Sequence, residues 1–137
     1  MRLVLDTNVV ISAFINPDGK PSQILKFVLG HKAEICYNTI ILSEYENVMK
    51  RPKFSNKIDP DNIHRFIYLI KTIGFSYTPL PSKIKLSRIL LPDESDRIFY
   101  DTARESGSIL ISGNAKHFPK EPFIMLPADF MNRLLAG

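Results

Sequence analysis

The stretch Arg2-Leu3-Val4-Leu5-Asp6-Thr7-Asn8 decides how this chain is read. Leu3 to Leu5 is a short apolar run of the kind that forms a buried strand. Asp6 then sets a carboxylate at the strand's end, followed by two small polar side chains. Burying a charge there without a partner is costly on the scale of a whole domain's stability, so something must use it. In open α/β sheets the carboxyl ends of the strands are also where ligands bind. Asp6 therefore directs the search toward other acids facing the same sheet edge.

Outward from that stretch, strands alternate with helical patterns, which argues for a parallel sheet covered by helices. A short helical turn is expected near Val9 to Phe14, and Asn16-Pro17-Asp18-Gly19 has turn chemistry. Ser22 is expected to cap a helix closed by Gly30. Ile35 to Tyr37 reads as the second strand, and Asn38 or Thr39 as the cap of a helix that stops at Pro52. The polar, basic stretch from Lys53 to Asn62 reads as a surface loop, with Asp59 and Asp61 as helix caps. An amphipathic helix follows from about Asp61 to Ile73, then a possible strand at Phe75 to Tyr77. The proline-spotted segment from Pro79 to Pro92 carries no clear pattern. A helix over Asp93 to Glu105, a strand over Ser108 to Ile111, a turn at Ser112-Gly113-Asn114, a strand over Phe123 to Met125 and a helix over Ala128 to Leu135 complete the chain.

Two of these helices carry an acid on the apolar face. Ile41, Tyr45, Val48 and Met49 form a stripe at three- and four-residue spacing, and Glu44 falls inside it. Phe99, Tyr100 and Ala103 form a second stripe, which Asp96 continues one turn earlier, with Asp93 a turn before that. Arg97, Asp101, Arg104 and Glu105 take the other faces. Ser112 and Asn114 leave a strand's carboxyl end as Asp6 does, and a parallel sheet brings such ends together. Carboxylates gathered in one cleft repel unless a cation sits between them. Hard divalent ions such as Mg²⁺ or Mn²⁺ suit that donor set, and such a site activates water for attack on phosphorus.

Blander readings stand beside this one. Asp93 reads first as a helix N-cap, and Asp6 and Asp96 each fit a cap as readily as chemistry. A salt bridge to a lysine is the ordinary alternative for Glu44. Three acids at matching topological positions are what favour chemistry. His117 reads as a surface residue. Lys50, Arg51, Lys53 and Lys57 form one basic cluster and Lys116 and Lys120 another, weak signals individually for a nucleic acid.

Bulk properties set the frame. The chain has 137 residues, 45% hydrophobic and 23% charged, with a formal charge of +4. That is one domain's length, here 1–137, with enough apolar content for a core and a mildly basic balance compatible with a polyanion. The single cysteine, Cys36, excludes an internal disulfide framework and a thiolate zinc cluster. No signal peptide and no apolar run of membrane-spanning length is seen, so a cytoplasmic protein is expected.

Leu5-Asp6-Thr7-Asn8, Ser43-Glu44, Asp93-Glu94-Ser95-Asp96-Arg97 leading to Ala103, and Leu110-Ile111-Ser112-Gly113-Asn114, in that order, resemble the PIN-domain family. More narrowly they are similar to the VapC-like toxin ribonucleases of toxin–antitoxin pairs. The resemblance implies a three-layer α/β/α sandwich around a mostly five-stranded parallel sheet, and Mg²⁺- or Mn²⁺-dependent cleavage of RNA. It implies Asp6, Glu44 and Asp96 as catalytic metal ligands, and Thr7, Asn8, Asp93, Ser112 and Asn114 as supporting residues. Asn114 matches a position that is often Asp in the family, so an amide oxygen replaces a charge. Lys50, Arg51, Lys53 and Lys116 are the candidate RNA contacts. The resemblance also implies a homodimer neutralised by a small antitoxin. The alternative is a PIN-fold RNA- or partner-binding module with weak or no catalysis. A phosphatase using Asp6 as nucleophile would want a second acid two residues on, where Asn8 stands.

Overall fold

The computed structural model of the chain describes residues 1–80, 91 and 93–136. The described part is an α/β sandwich built on one five-stranded sheet, in the order β3-β2-β1-β4-β5. Its strands are β1 (Arg2–Leu5), β2 (Glu34–Tyr37), β3 (Phe75–Ser76), β4 (Ile109–Ile111) and β5 (Ile124–Met125), and every neighbouring pair is parallel. Leu3, Val4 and Leu5 align with Ile109, Leu110 and Ile111, and all but Ile109 are buried. The apolar run that opened the chain is thus the central strand. From β1 the sheet grows to one side through β2 and β3. It then restarts on the other side with β4 and β5. That reversal puts a crevice at the carboxyl ends of β1 and β4, the usual binding place in such sheets.

Among the described residues six α-helices cover the sheet: α1 (Thr7–Ile15), α2 (Lys20–Leu29), α3 (Thr39–Met49), α4 (Pro60–Ile73), α5 (Arg97–Ser106) and α6 (Pro127–Ala136). Their ends follow local chemistry. Asn38 caps α3 by accepting the Ile41 amide at 2.9 Å, and Asp59 caps α4 ahead of Pro60. Gly107, at φ 71°, ends α5 in the left-handed conformation that a side chain resists. Tyr45, Phe66 and Phe99 meet in the core beneath α3, α4 and α5. No described helix is long and apolar enough to cross a membrane.

Several sequence expectations are corrected. The second helix starts at Lys20 behind Gly19, and Ser22 is buried inside it, because Pro21 is tolerated in a first turn that needs no amide there. The first helix begins directly at Thr7 and is longer than expected. The stretch from Lys53 to Asn62 read as a surface loop begins inside a 3₁₀ turn at Pro52–Phe54, buries Ile58 and ends inside α4. Asp93 to Glu105 is not one helix: a 3₁₀ turn at Glu94–Asp96 precedes α5. The proline-spotted segment lies mostly outside the described residues.

Asp101 was expected on an outer face of its helix and is fully buried. The expectation assumed one apolar stripe, but Phe99 through Ala103 are buried consecutively, more than a full turn. The helix packs on β1, β2 and β4 and is covered on several sides. Burial pushes the Asp101 carboxyl up, and Arg104 and then Arg97 oppose this.

Gly74 joins α4 to β3 at an ordinary negative φ, so its constraint is space. A Cβ there would stand 2.6 Å from the Ile70 carbonyl oxygen and 2.8 Å from that of Ile35, both backbone. Gly74→Ala is expected to lower unfolding free energy by about 1–3 kcal/mol through overpacking. Chemical denaturation checks this, and an unchanged midpoint contradicts it.

Candidate active site

Asp6 stands at the carboxyl end of β1, inside the crevice. Its amide donates to the Ile111 carbonyl at 2.9 Å, which continues the β1–β4 ladder by one residue. Asp6 is only 5% exposed, and its carboxylate is tied down on both oxygens. One oxygen accepts the Thr7 amide at 2.8 Å, which caps α1. The other accepts the Ser112 hydroxyl at 2.7 Å and, more weakly, the Asn8 side-chain amide at 3.4 Å. Ser112 is the residue after β4, so this bond joins the two strand ends. Burial pushes the Asp6 carboxyl up; the Ser112 and Thr7 bonds and a charge on His117 pull it back. The capping bond and a place in the cleft are compatible for Asp6, because its carboxylate caps α1 and the residue still lines the opening.

Glu44 and Asp96 face the same opening. With Asp6 and Asp93 they line a cleft of about 390 Å³, whose other walls include Thr7, Asn8, Phe54 and Phe99. Among the described residues neither acid shows its ordinary alternative. Among the described residues Glu44 joins no ion pair. Asp96 occupies the position before α5 but makes no side-chain capping bond. Asp93 is the true cap: it accepts the Ser95 amide at 2.9 Å and its hydroxyl at 2.7 Å, which hold its carboxyl below the usual range. Burial pushes the Asp96 carboxyl up to about 6, and the negative charges of Asp6, Asp93 and Glu44 add to the effect. The acids thus feel one another across the cleft.

The basic residues divide. Arg51 and Lys53 line the cleft beside the acids. Lys50 is occupied by Glu46 at 2.6 Å, and Lys116 lines a separate hollow with Lys120. Asn114 is exposed and does not line the cleft; its amide donates to the Ser112 hydroxyl oxygen at 3.0 Å. Asn8 also accepts the Gly113 amide at 3.1 Å, so the turn after β4 is fastened to α1. His117 was read as a surface residue and is exposed, yet its charge lowers the carboxyls of Asp6, Asp93 and Asp96. Its position shortly after a strand's carboxyl end is the signal that could have marked it. Phe54 was missed because the loop reading hid its contact with the core.

Two larger hollows, of about 560 and 530 Å³, lie elsewhere on the surface. One contains Glu121 as its single carboxylate and the other contains none, so the chemistry points to the smaller cleft. Its donors are hard carboxylate oxygens, together with the buried Thr7 hydroxyl, which has no hydrogen-bond partner among the described residues. That set suits Mg²⁺ or Mn²⁺. Among the described residues no three His, Cys, Asp or Glu side chains are already drawn close enough to enclose one ion. The expected convergence therefore holds for the cleft lining and not for a closed ligand cluster.

Comparison with known proteins agrees with the fold. A model of the PIN domain matches residues 2–116. An uncharacterized protein, MJ1680, of Methanocaldococcus jannaschii is 30% identical over 115 residues, covering 83% of this chain and 71% of that one. Among solved structures, VapBC2 from Rickettsia felis bound to a promoter DNA fragment superposes with a TM-score of 0.57 at 15% identity, over 92% of this chain and 97% of that chain. FitAB bound to IR36 DNA gives a TM-score of 0.57 at 14% identity, over 91% and 94%. The similarity to the solved structures is one of fold. Matched along most of its length by the family model, this chain belongs to the PIN-domain family.

Proposed function

We propose that the chain is a Mg²⁺- or Mn²⁺-dependent endoribonuclease that acts as the toxin of a toxin–antitoxin pair. The observation that carries this reading is the meeting of Asp6, Glu44 and Asp96 around one cleft that Arg51 and Lys53 also line. A divalent ion bound there neutralises the carboxylates, lowers the pKa of water and stabilises charge in the displacement at phosphorus.

The chain's own residues have distinct parts. Asp6, fastened by Thr7 and Ser112, is the rigid ligand. Glu44 on α3 and Asp96 before α5 approach from two other elements and complete the set. Ser112, Asn8 and Thr7 hold the Asp6 end of the cleft in place. Asp93 keeps the turn before α5 in shape through Ser95. Asn114 brings no charge and lies outside the cleft lining, so the set suits one firmly held ion. Arg51 and Lys53 meet the phosphates that flank the scissile bond. The fold shared with VapBC2 supports the narrower toxin reading, in which the chain is a cytoplasmic homodimer neutralised by a small antitoxin.

A second reading draws on Asn114 and on the open spacing of the acids: a PIN-fold module that binds RNA without cutting it. RNA binding with no cleavage at any Mg²⁺ or Mn²⁺ concentration selects that reading over the first.

Asp6→Asn keeps most of the hydrogen-bonding shape but loses the charge. It is expected to reduce metal-dependent RNA cleavage by about 100-fold or more while the far-UV spectrum is retained. Full activity in that variant sinks the nuclease assignment.

The Asp96 carboxyl gives a pH test. Its folded value, about 6, lies above the ordinary aspartate value of 3.8. In metal-free protein, the stability contributed by protonated Asp96 is present below the unfolded value and lost as pH rises through about 6. Metal binding needs the deprotonated form, so Mn²⁺ affinity should fall as pH drops through that range. Carboxyl NMR should show the midpoint near 6, moving down in Asp6→Asn. A midpoint in the ordinary carboxylate range contradicts the effect of burial, and a midpoint that does not move in Asp6→Asn contradicts the mutual repulsion.

Replacing Arg51 and Lys53 together by Ala should raise KM for RNA and flatten its salt dependence by roughly one log unit per lost phosphate contact. An unchanged KM and salt slope removes these residues from the substrate path.

A further inference from the structure

Tyr45 touches all three elements that bring acids to the cleft. It follows Glu44 on α3. Its hydroxyl donates to the Leu5 carbonyl oxygen at 2.5 Å, one residue before Asp6. Its ring centroid lies 6.2 Å from that of Phe99, which stands three residues after Asp96 and itself lines the cleft. The side chain is completely buried. A buried hydroxyl is costly unless bonded, and a phenylalanine would fill the same space without one. Packing therefore accounts for the ring and leaves the oxygen unexplained. Leu5 is aligned with Ile111 of β4 but lies beyond the residues of β1 aligned with β2, so the hydroxyl ties α3 to β1 where its alignment with β2 has ended. Adjacent residues on a helix cannot move independently. Fastening Tyr45 to Leu5 therefore limits how far Glu44 can drift from Asp6.

We infer that Tyr45 is a positioning residue for the acidic cleft: its hydroxyl, anchored on the Leu5 carbonyl, sets the spacing of Glu44 against Asp6 and with it the affinity for a divalent ion. This rests on the metal reading proposed above and deepens it. Phe99 carries the same constraint toward Asp96 through ring contact. Tyr45 itself meets neither the ion nor the RNA.

The test is Mn²⁺ affinity of the full chain without RNA, by calorimetry or electron paramagnetic resonance, beside stability by denaturation. Tyr45→Phe should bind Mn²⁺ about 10-fold more weakly, the scale seen when support around a ligand is removed. RNA cleavage should fall at low Mn²⁺ and recover at high Mn²⁺. Ile24→Val, in the core under α2, should lose stability with no change in Mn²⁺ affinity. Tyr45→4-aminophenylalanine, which restores a donor at the same place, should bind as the wild type and decides the case should Tyr45→Phe not fold. Equal affinity in wild type and Tyr45→Phe overturns the inference. So does a loss in Ile24→Val matching that in Tyr45→Phe, or a 4-amino variant that folds and still binds weakly. A wild-type chain that binds no Mn²⁺ removes the metal reading itself, a distinguishable result.

Discussion

The bond from the Ser112 hydroxyl to the Asp6 carboxylate is the constraint on which the rest depends. It closes the seam between β1 and β4, the two strands at which the sheet reverses its order of growth. An acid in that place is unfavourable by burial alone. Three donors offset the burial, from Thr7, Asn8 and Ser112, and the same three donors fix the direction in which the carboxylate points. The cap of α1, the end of the central ladder and the floor of the cleft are therefore one structural unit. Loosening it would disturb all three.

Electrostatics around the cleft is a balance of near and far charges. Burial and three neighbouring carboxylates drive the Asp96 carboxyl up, while His117 acts in the opposite sense. Arg51 and Lys53 line the same opening, and the chain as a whole carries +4. Such an arrangement admits a polyanion to an acidic floor. On the proposed reading the basic side chains would meet it first, and the acids would hold the neutralising cation. An isolated acidic hollow on an acidic protein would repel the same partner.

Much of this was legible in the residues. A strand-ending acid, an acid within a helical apolar stripe and an acid one turn before another stripe are local patterns. Local geometry carried Asp6, Glu44 and Asp96 to the same opening. The alternation of strands and helices carried the parallel sheet. What was not legible depends on tertiary contact. Asp101 is buried because its helix is enclosed on several sides, which one-stripe periodicity cannot show. Phe54 and Ile58 pack inward from a stretch whose polar composition suggested only surface. The Tyr45 hydroxyl finds its acceptor 40 residues away, on the strand that begins the chain. His117 acts on three carboxyls through space, across a turn that sequence spacing alone left as surface.

The central claim is that the cleft is a divalent-metal centre whose ligands are Asp6, Glu44 and Asp96. The most direct measurement is a crystal structure of the chain grown with Mn²⁺, with data collected for manganese anomalous scattering. The account predicts an anomalous peak in the cleft, coordinated by carboxylate oxygens from those three residues. A well-occupied peak at another site, or a saturating Mn²⁺ concentration that leaves the cleft acids holding only water, would contradict it.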